Sequence, residues 1–552
     1  MKITNKIISL SLAATALLSA TSCIDEIMPA NGTVIDDQIK SAGLESSING
    51  ISAQMMQGYL VYGDNIHESD MSYPMFMIAG TEMLGDMYPG GESGYDWYRA
   101  YNCMNEPIGA TSYFSYLPWR TLYMYIKSAN DIIRTYKSIS SPSVNDKNNV
   151  AKAYAYRAFS YYMLTVCYEP KANIYTDCSD VLGLTVPIVT EETTEKQSNN
   201  NPRASHEEMM SFILADLQKA YDTFTETGYS STQRYSPSLA TVCGLMARAY
   251  LWDEQYDKAF DAADEAIKLA QQSGCDMMSK NELTNANTAF AAAASSWMWY
   301  GSYAAENLQN LANIPSHLSN EASWGYSAHS KPVIDKSLYD KMGKADYRRK
   351  WFLDPKRKKG DYETVRDEEH LADLPDYASL KFRCASGNYK DYTEGATTDV
   401  PFMRLEELYL LRAEAAGMSK SVAEGVSLLN NWVKTYRDVT YNCTATTERD
   451  LQLAVLDQMR IEFWGEGVAF FSAKRIQPGV MQYYAGSNAP SVIYHINAEG
   501  MKPNWNYVIP NSEVQSNKAI ANKNNPDPTL SIDYYKVQAG VYAPGNVTTT
   551  EN

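Results

Sequence analysis

A chain of 552 residues with 45% hydrophobic composition holds enough apolar material for a large core, so it does not depend on a disulfide framework. Its formal charge of −17 repels phosphate backbones and argues against nucleic acid as a partner. The six histidines (His67, His206, His317, His329, His370, His495) are dispersed, with no H-E-x-x-H pair and no phosphate-cradling glycine loop, so no catalytic zinc and no nucleotide cofactor is expected.

The chain opens as a leader. Lys2 and Lys6 give a short positive start, and Ile7 to Leu18 is an apolar run too short to span a bilayer, which takes about 20 residues. Ala20-Thr21-Ser22 then precede Cys23, the arrangement of a bacterial lipoprotein signal that is cut before a cysteine destined for acylation. Residues 1–22 are expected to be removed, and with Lys2 and Lys6 gone the charge moves from −17 to −19. Cys23 is the expected lipidation site, and several acyl chains on it would anchor stably where one holds only marginally. Asp25 and Glu26 follow at once, and Pro29 with Asn31-Gly32 marks 23–35 as a tether. Of the other seven cysteines none forms a C-x-x-C pair, and Cys167 and Cys243 fall in helical apolar patterns as small core residues.

From 36 to 552 the chain reads as one unit dominated by helical patterns. Trp119 to Ile139 and Val150 to Tyr168 form a first antiparallel pair. Glu207 to Thr225 leads into the clearest hairpin, Leu239 to Leu269, which turns at Asp253-Glu254-Gln255. Ala247, Tyr250, Tyr256, Ala259 and Ala266 there occupy the small and aromatic positions of a tetratricopeptide unit. Small residues let two helices approach, and aromatics fill the groove between them. Phe402 to Ala416 and Ser421 to Tyr436 make a last pair. The hairpins (about 119–168, 205–272 and 401–475) follow no fixed period and are separated by insertions (about 55–118 and 285–400). The expected fold is mostly α: a tetratricopeptide-like hairpin scaffold with a loop-rich second part and few short strands.

The insertions carry the functional expectation. Residues 59–125 hold 15 aromatics in 67 positions, against 12% for the whole chain, which marks the segment as more than core filler. A flat ring stacks on the C–H face of a sugar while nearby amide, carboxylate and guanidinium groups bond its hydroxyl edge, so exposed aromatics suit recognition without chemistry. Trp97, Tyr98, Tyr95, Trp299, Tyr300, Trp324 and Tyr326 are the stacking candidates, and Asp86, Asp96, Arg99 and Asn102 the hydrogen-bonding ones. Trp119 and Tyr250, inside helical patterns, are expected in the core. The charged residues Arg404, Glu406, Glu407, Arg460, Glu462 and Glu466 are read as structural ion pairs, because side chains adjacent on one helix do not face each other across a scissile bond. No catalytic residues are expected.

Four ordered blocks resemble the SusD-like (RagB/SusD) family of nutrient-binding outer-membrane lipoproteins. A-K-A-Y-A-Y-R-A-F-S-Y-Y-M-L-T-V-C-Y (151–168) with L-G-L-T-V-P-I-V-T (182–190) is similar to its first marked helix and a short strand after it. D-V-P-F-M-R-L-E-E-L-Y-L-L-R-A-E-A (399–415) resembles its best-known helix, and R-I-E-F-W-G-E-G-V-A-F-F-S-A-K-R (460–475) its last long helix. Y-V-I-P-N-S-E-V-Q-S-N-K-A-I-A-N-K-N-N-P-D-P (507–528) matches its ending, while Val468 and Ser472 stand where arginine and aspartate are common. The resemblance implies a surface-exposed, lipid-anchored outer-membrane protein of Bacteroidetes type that binds glycan, without catalysis, for a SusC-like TonB-dependent transporter. A peptide or another non-glycan nutrient on the same architecture is the alternative.

Overall fold

The computed structural model describes residues 33–58, 71–90, 95–102, 108–482, 484–490 and 497–528. Cys23 and the leader lie outside them. The described part is mostly α, as expected, with three two-stranded sheets. Its first helix, α1 (Thr33–Met56), begins inside the stretch read as tether and lies against α3 (Tyr113–Lys137) and α4 (Val144–Tyr168). Between them the short α2 (Tyr73–Met83) is buried along its whole length.

The scaffold is a run of helices in which each packs on the next. After α4 come α5 (His206–Thr227), α6 (Leu239–Trp252), α7 (Tyr256–Gln272), α8 (Leu405–Ser419), α9 (Val422–Tyr436), α10 (Glu448–Glu462) and α11 (Ala469–Ile476). Local chemistry starts and stops them. Ser143 with Asp146 and Ser205 with Glu208 form capping boxes at α4 and α5, each satisfying two backbone N–H groups. Gly228 ends α5 in the left-handed conformation (φ 63°). Ala247, Ala259, Ala263, Ala266 and Ala270 are fully buried, which lets α6 and α7 meet closely. Trp119 is core as expected, whereas Tyr250 is half-buried with Lys258 over its ring. Cys167 and Cys243 are buried free thiols.

Two of the blocks read as continuous helix are not. Asp399–Arg404 is strand β4, paired antiparallel with β2 (Trp297–Ser302) before α8 begins. Pro401 bars a helix interior there, and the strand buries Val400 and Phe402. The 460–475 block breaks between α10 and α11 because Gly465 and Gly467 both take positive φ. A Cβ on Gly80 of α2 would come within 2.7 Å of the Gly467 carbonyl oxygen, so two backbones meet with no room for a side chain. Leu182–Thr190 contributes one isolated bridge, Leu184 to Ser205, in place of a strand.

The charged residues of these blocks form a buried network. Glu462 accepts from Arg437 (2.8 Å), Arg404 (3.1 Å) and Arg348 (3.3 Å), while Glu466 takes Arg404 (2.8 Å) and Lys381 (2.6 Å). Glu406 pairs with Arg437, and Glu407 with Arg248. Three guanidiniums hold the Glu462 carboxyl far below the usual range despite its burial. The cluster ties α8, α9 and α10 to the insertion that carries Arg348 and Lys381.

Candidate functional site

A short antiparallel pair builds the site. Strand β1 (Met87–Pro89) pairs with β3 (Pro332–Ile334), Met87 opposite Ile334, and the Gly90 N–H donates to the Lys331 carbonyl at 2.7 Å. Segments more than 240 residues apart in sequence are thereby joined, so the residues after β1 face those before β3. On the second side, Gly325 turns the chain at φ 72°, where a Cβ would strike Ser316. The helical turn Ser327–Ser330 is pinned by the Ser327 hydroxyl, which donates to the carbonyls of Pro315 (3.0 Å) and Ser319 (2.8 Å).

Tyr95, Trp97 and Tyr326 come together here. Tyr326 lies 6.0 Å from Trp97 at 32° and 6.4 Å from Tyr95, and Tyr95 sits 4.7 Å from the exposed His329. His317 stacks under Tyr326 at 5.0 Å and 27°, and Tyr98 supports His317 edge-on at 5.1 Å. The result is a shallow depression floored by rings, with Tyr95 half exposed (50%) at its rim and Trp97 and Tyr326 partly open.

Asp96 takes a supporting part. Its carboxyl accepts the backbone N–H groups of Tyr98 and Arg99, starting the 3-10 turn Arg99–Asn102. Burial pushes it up to about 6, against the lowering effect of a hydrogen bond from Glu82 and of Arg99. Glu82 is raised well above the carboxylate range by burial first and by Asp96 second. The two buried carboxyls are thus neighbours that each favour the protonated form.

Several sequence candidates prove to be core. Trp299 has no exposed surface and packs edge-on against Phe159 (5.1 Å), Phe402 (5.2 Å) and Tyr156 (5.6 Å), because β2 turns it inward. Tyr98 is buried under His317. Asn102 is buried and donates to the Met87 carbonyl at 3.1 Å, so its amide holds the loop. Asp86 is buried and accepts from Arg460 Nε at 3.1 Å, an ion pair between β1's approach and α10. Trp324 is only 8% exposed and packs with Ala322, Cys384 and Ala396 in a small satellite core. Tyr300 is half-buried against Tyr235 (4.8 Å), apart from the ring row. Arg99 is partly open beside Asp96.

His317 and His329 were weighed in the sequence only as zinc ligands. The spacing Tyr326 to His329 on one helical turn, with the His329 N–H donating to the Tyr326 carbonyl, is the local sign that they share a face. Among the described residues no group of three or more His, Cys, Asp or Glu side chains is placed to hold a metal, and no helix is long and apolar enough to cross a membrane.

The helical hairpins form the scaffold, and the aromatic depression is built from the insertions between them. Two family models match separate stretches: one described as starch-binding, associating with the outer membrane, over residues 75–251, and the SusD family over residues 376–536. A SusD-like protein, P2, of Formosa agariphila is 23% identical over 88% of this chain and 92% of its own length. A SusD-like carbohydrate-binding protein from Bacteroides vulgatus has the same fold at TM-score 0.68 and 21% identity, covering 87% of this chain and 97% of that one. Surface glycan-binding protein A from Bacteroides uniformis superposes at TM-score 0.61 and 17% identity over 88% and 99% of the two chains. This chain belongs to the SusD-like family.

Proposed function

We propose that this protein binds glycan at the cell surface, without catalysis, and passes it to a SusC-like TonB-dependent transporter, held to the outer membrane by lipid on Cys23. The observation that carries the reading is the row Tyr95, Tyr326, Trp97: rings from two distant segments, partly open, in one shallow depression. Such a row matches the spaced C–H faces of successive sugar rings, and it needs no acid–base pair. The carboxylates of the family blocks are occupied by cations in the core, which fits a structural role for them. The names of the relatives from Bacteroides vulgatus and Bacteroides uniformis agree with a carbohydrate ligand. Binding in so open a site is expected between roughly millimolar and micromolar, about −4 to −8 kcal/mol, and tethering beside a transporter makes weak binding sufficient.

The test is a glycan array on the chain from Ile24 onward, repeated with Trp97→Ala and Tyr326→Ala. Binding to one polysaccharide class, lost in both variants while the thermal midpoint holds, is the expected outcome. Binding unchanged in both would remove the ring row from the function. Release of new reducing ends on incubation would replace capture with hydrolysis.

A further inference from the structure

We infer a second saccharide-binding site, in a polar cleft of about 350 Å³ between α1, the start of α4, the α5–α6 loop and the end of β2. The ligand class rests on the glycan reading above; the site itself does not. Three elements present one face each. Asn49 lies on α1, Asn145 and Asn149 are one helical turn apart on α4, and Gln233 and Tyr235 come from the loop.

The chemistry is that of a hydroxyl-rich neutral ligand. Amides and serine hydroxyls dominate the lining, with one carboxylate and one ammonium group, so neither an anion nor a cation is favoured. Tyr235 supplies the flat surface. It is 46% exposed and braced from below by Tyr300 at 4.8 Å. The Ser52 hydroxyl donates to its backbone carbonyl at 2.8 Å, so the ring is positioned before any ligand arrives. The half-burial of Tyr300, an expected sugar contact, is explained by this bracing role.

The amides a ligand can reach are those of Asn49, Asn145 and Gln233, all exposed on the cleft, whereas Asn149 behind them is 1% exposed and its oxygen accepts from Lys152 at 3.5 Å. Two weak sites on one chain would also hold a polymer through linked binding, each raising the effective concentration at the other.

Hydrogen-exchange mass spectrometry on the chain from Ile24, with maltohexaose, cellohexaose, xylohexaose, mannohexaose and laminarihexaose as probes, tests the site. The expected result is protection of residues 229–236 and 145–152 by at least one probe, lost in Tyr235→Ala and kept in Trp97→Ala. Both rings are partly exposed, so both variants should fold, and retention of the matching polysaccharide in affinity electrophoresis should fall about tenfold in Tyr235→Ala. Protection confined to 95–102 and 326–330 overturns the second site and leaves the first. Protection of the cleft alone supports the second site and overturns the first. No protection by any probe overturns both.

Discussion

Replacing Trp299 and Trp97 by alanine in parallel separates core from site, since composition alone makes both look like sugar platforms. Trp299 has no exposed surface and touches three aromatic rings edge-on at 5.1 to 5.6 Å. Alanine there forfeits the transfer free energy of the whole indole and leaves a cavity bounded by Phe159, Phe402 and Tyr156, a loss of about 3–5 kcal/mol. Trp97 is partly open, and its ring pairs with Phe114 at 6.4 Å and Tyr326 at 6.0 Å are looser. The same change there should cost roughly 1–2 kcal/mol. Denaturant midpoints give the stability order, and affinity electrophoresis on the polysaccharide chosen by the array gives binding. Trp299→Ala should fall well below Trp97→Ala in stability yet keep full binding under native conditions, while binding weakens in Trp97→Ala. A stable Trp299→Ala protein that no longer binds would refute the burial argument.

Glu462→Gln should destabilise the fold by about 3–5 kcal/mol, since Arg437, Arg404 and Arg348 would lose their shared carboxylate in the core; an unchanged denaturant midpoint would show that the network contributes nothing. His206 bridges Glu169 (3.1 Å) and Asp253 (2.9 Å), which raises it above its ordinary 6.5 and helps lower Glu169 to about 2. The imidazolium contribution is complete below 6.5 and fades as pH rises through the raised value, while the Glu169 contribution is present above 4.5 and fades as pH falls toward about 2. His206→Ala should therefore cost roughly 0.5–1 kcal/mol at pH 6, after screening at this partly open position, and the gap should narrow at pH 9; a gap constant with pH contradicts the bridge. Glu82→Gln tests the buried pair of carboxyls, Glu82 and Asp96. Both carboxyls are raised, Asp96 to about 6 by burial, so native stability should fall as pH climbs from about 4 past about 6, and the variant should keep only the Asp96 part of that slope. Parallel stability curves for the two proteins would contradict it.

The hairpin scaffold was legible in the chain because its information is local. Capping serines, the alanines of α6 and α7 and the turn at Asp253-Glu254-Gln255 specify helices and their spacing within a few residues of sequence. The family blocks were legible for the same reason, although a proline and two positive-φ glycines inside them turn two apparent helices into strand–helix and helix–break–helix. Which aromatics face solvent was not legible. Trp97 and Trp299 occupy similar aromatic-rich runs, and only the pairing of β2 with β4 turns Trp299 into the core. Only the pairing of β1 with β3, more than 240 residues apart, brings Tyr95 and Trp97 to Tyr326. A ring's partners across an insertion depend on long-range register, and single-chain periodicity carries no record of it. The sequence by itself determined the helices, their capping and the chemistry on offer; the tertiary structure decided which of those side chains meet and which remain open to a ligand.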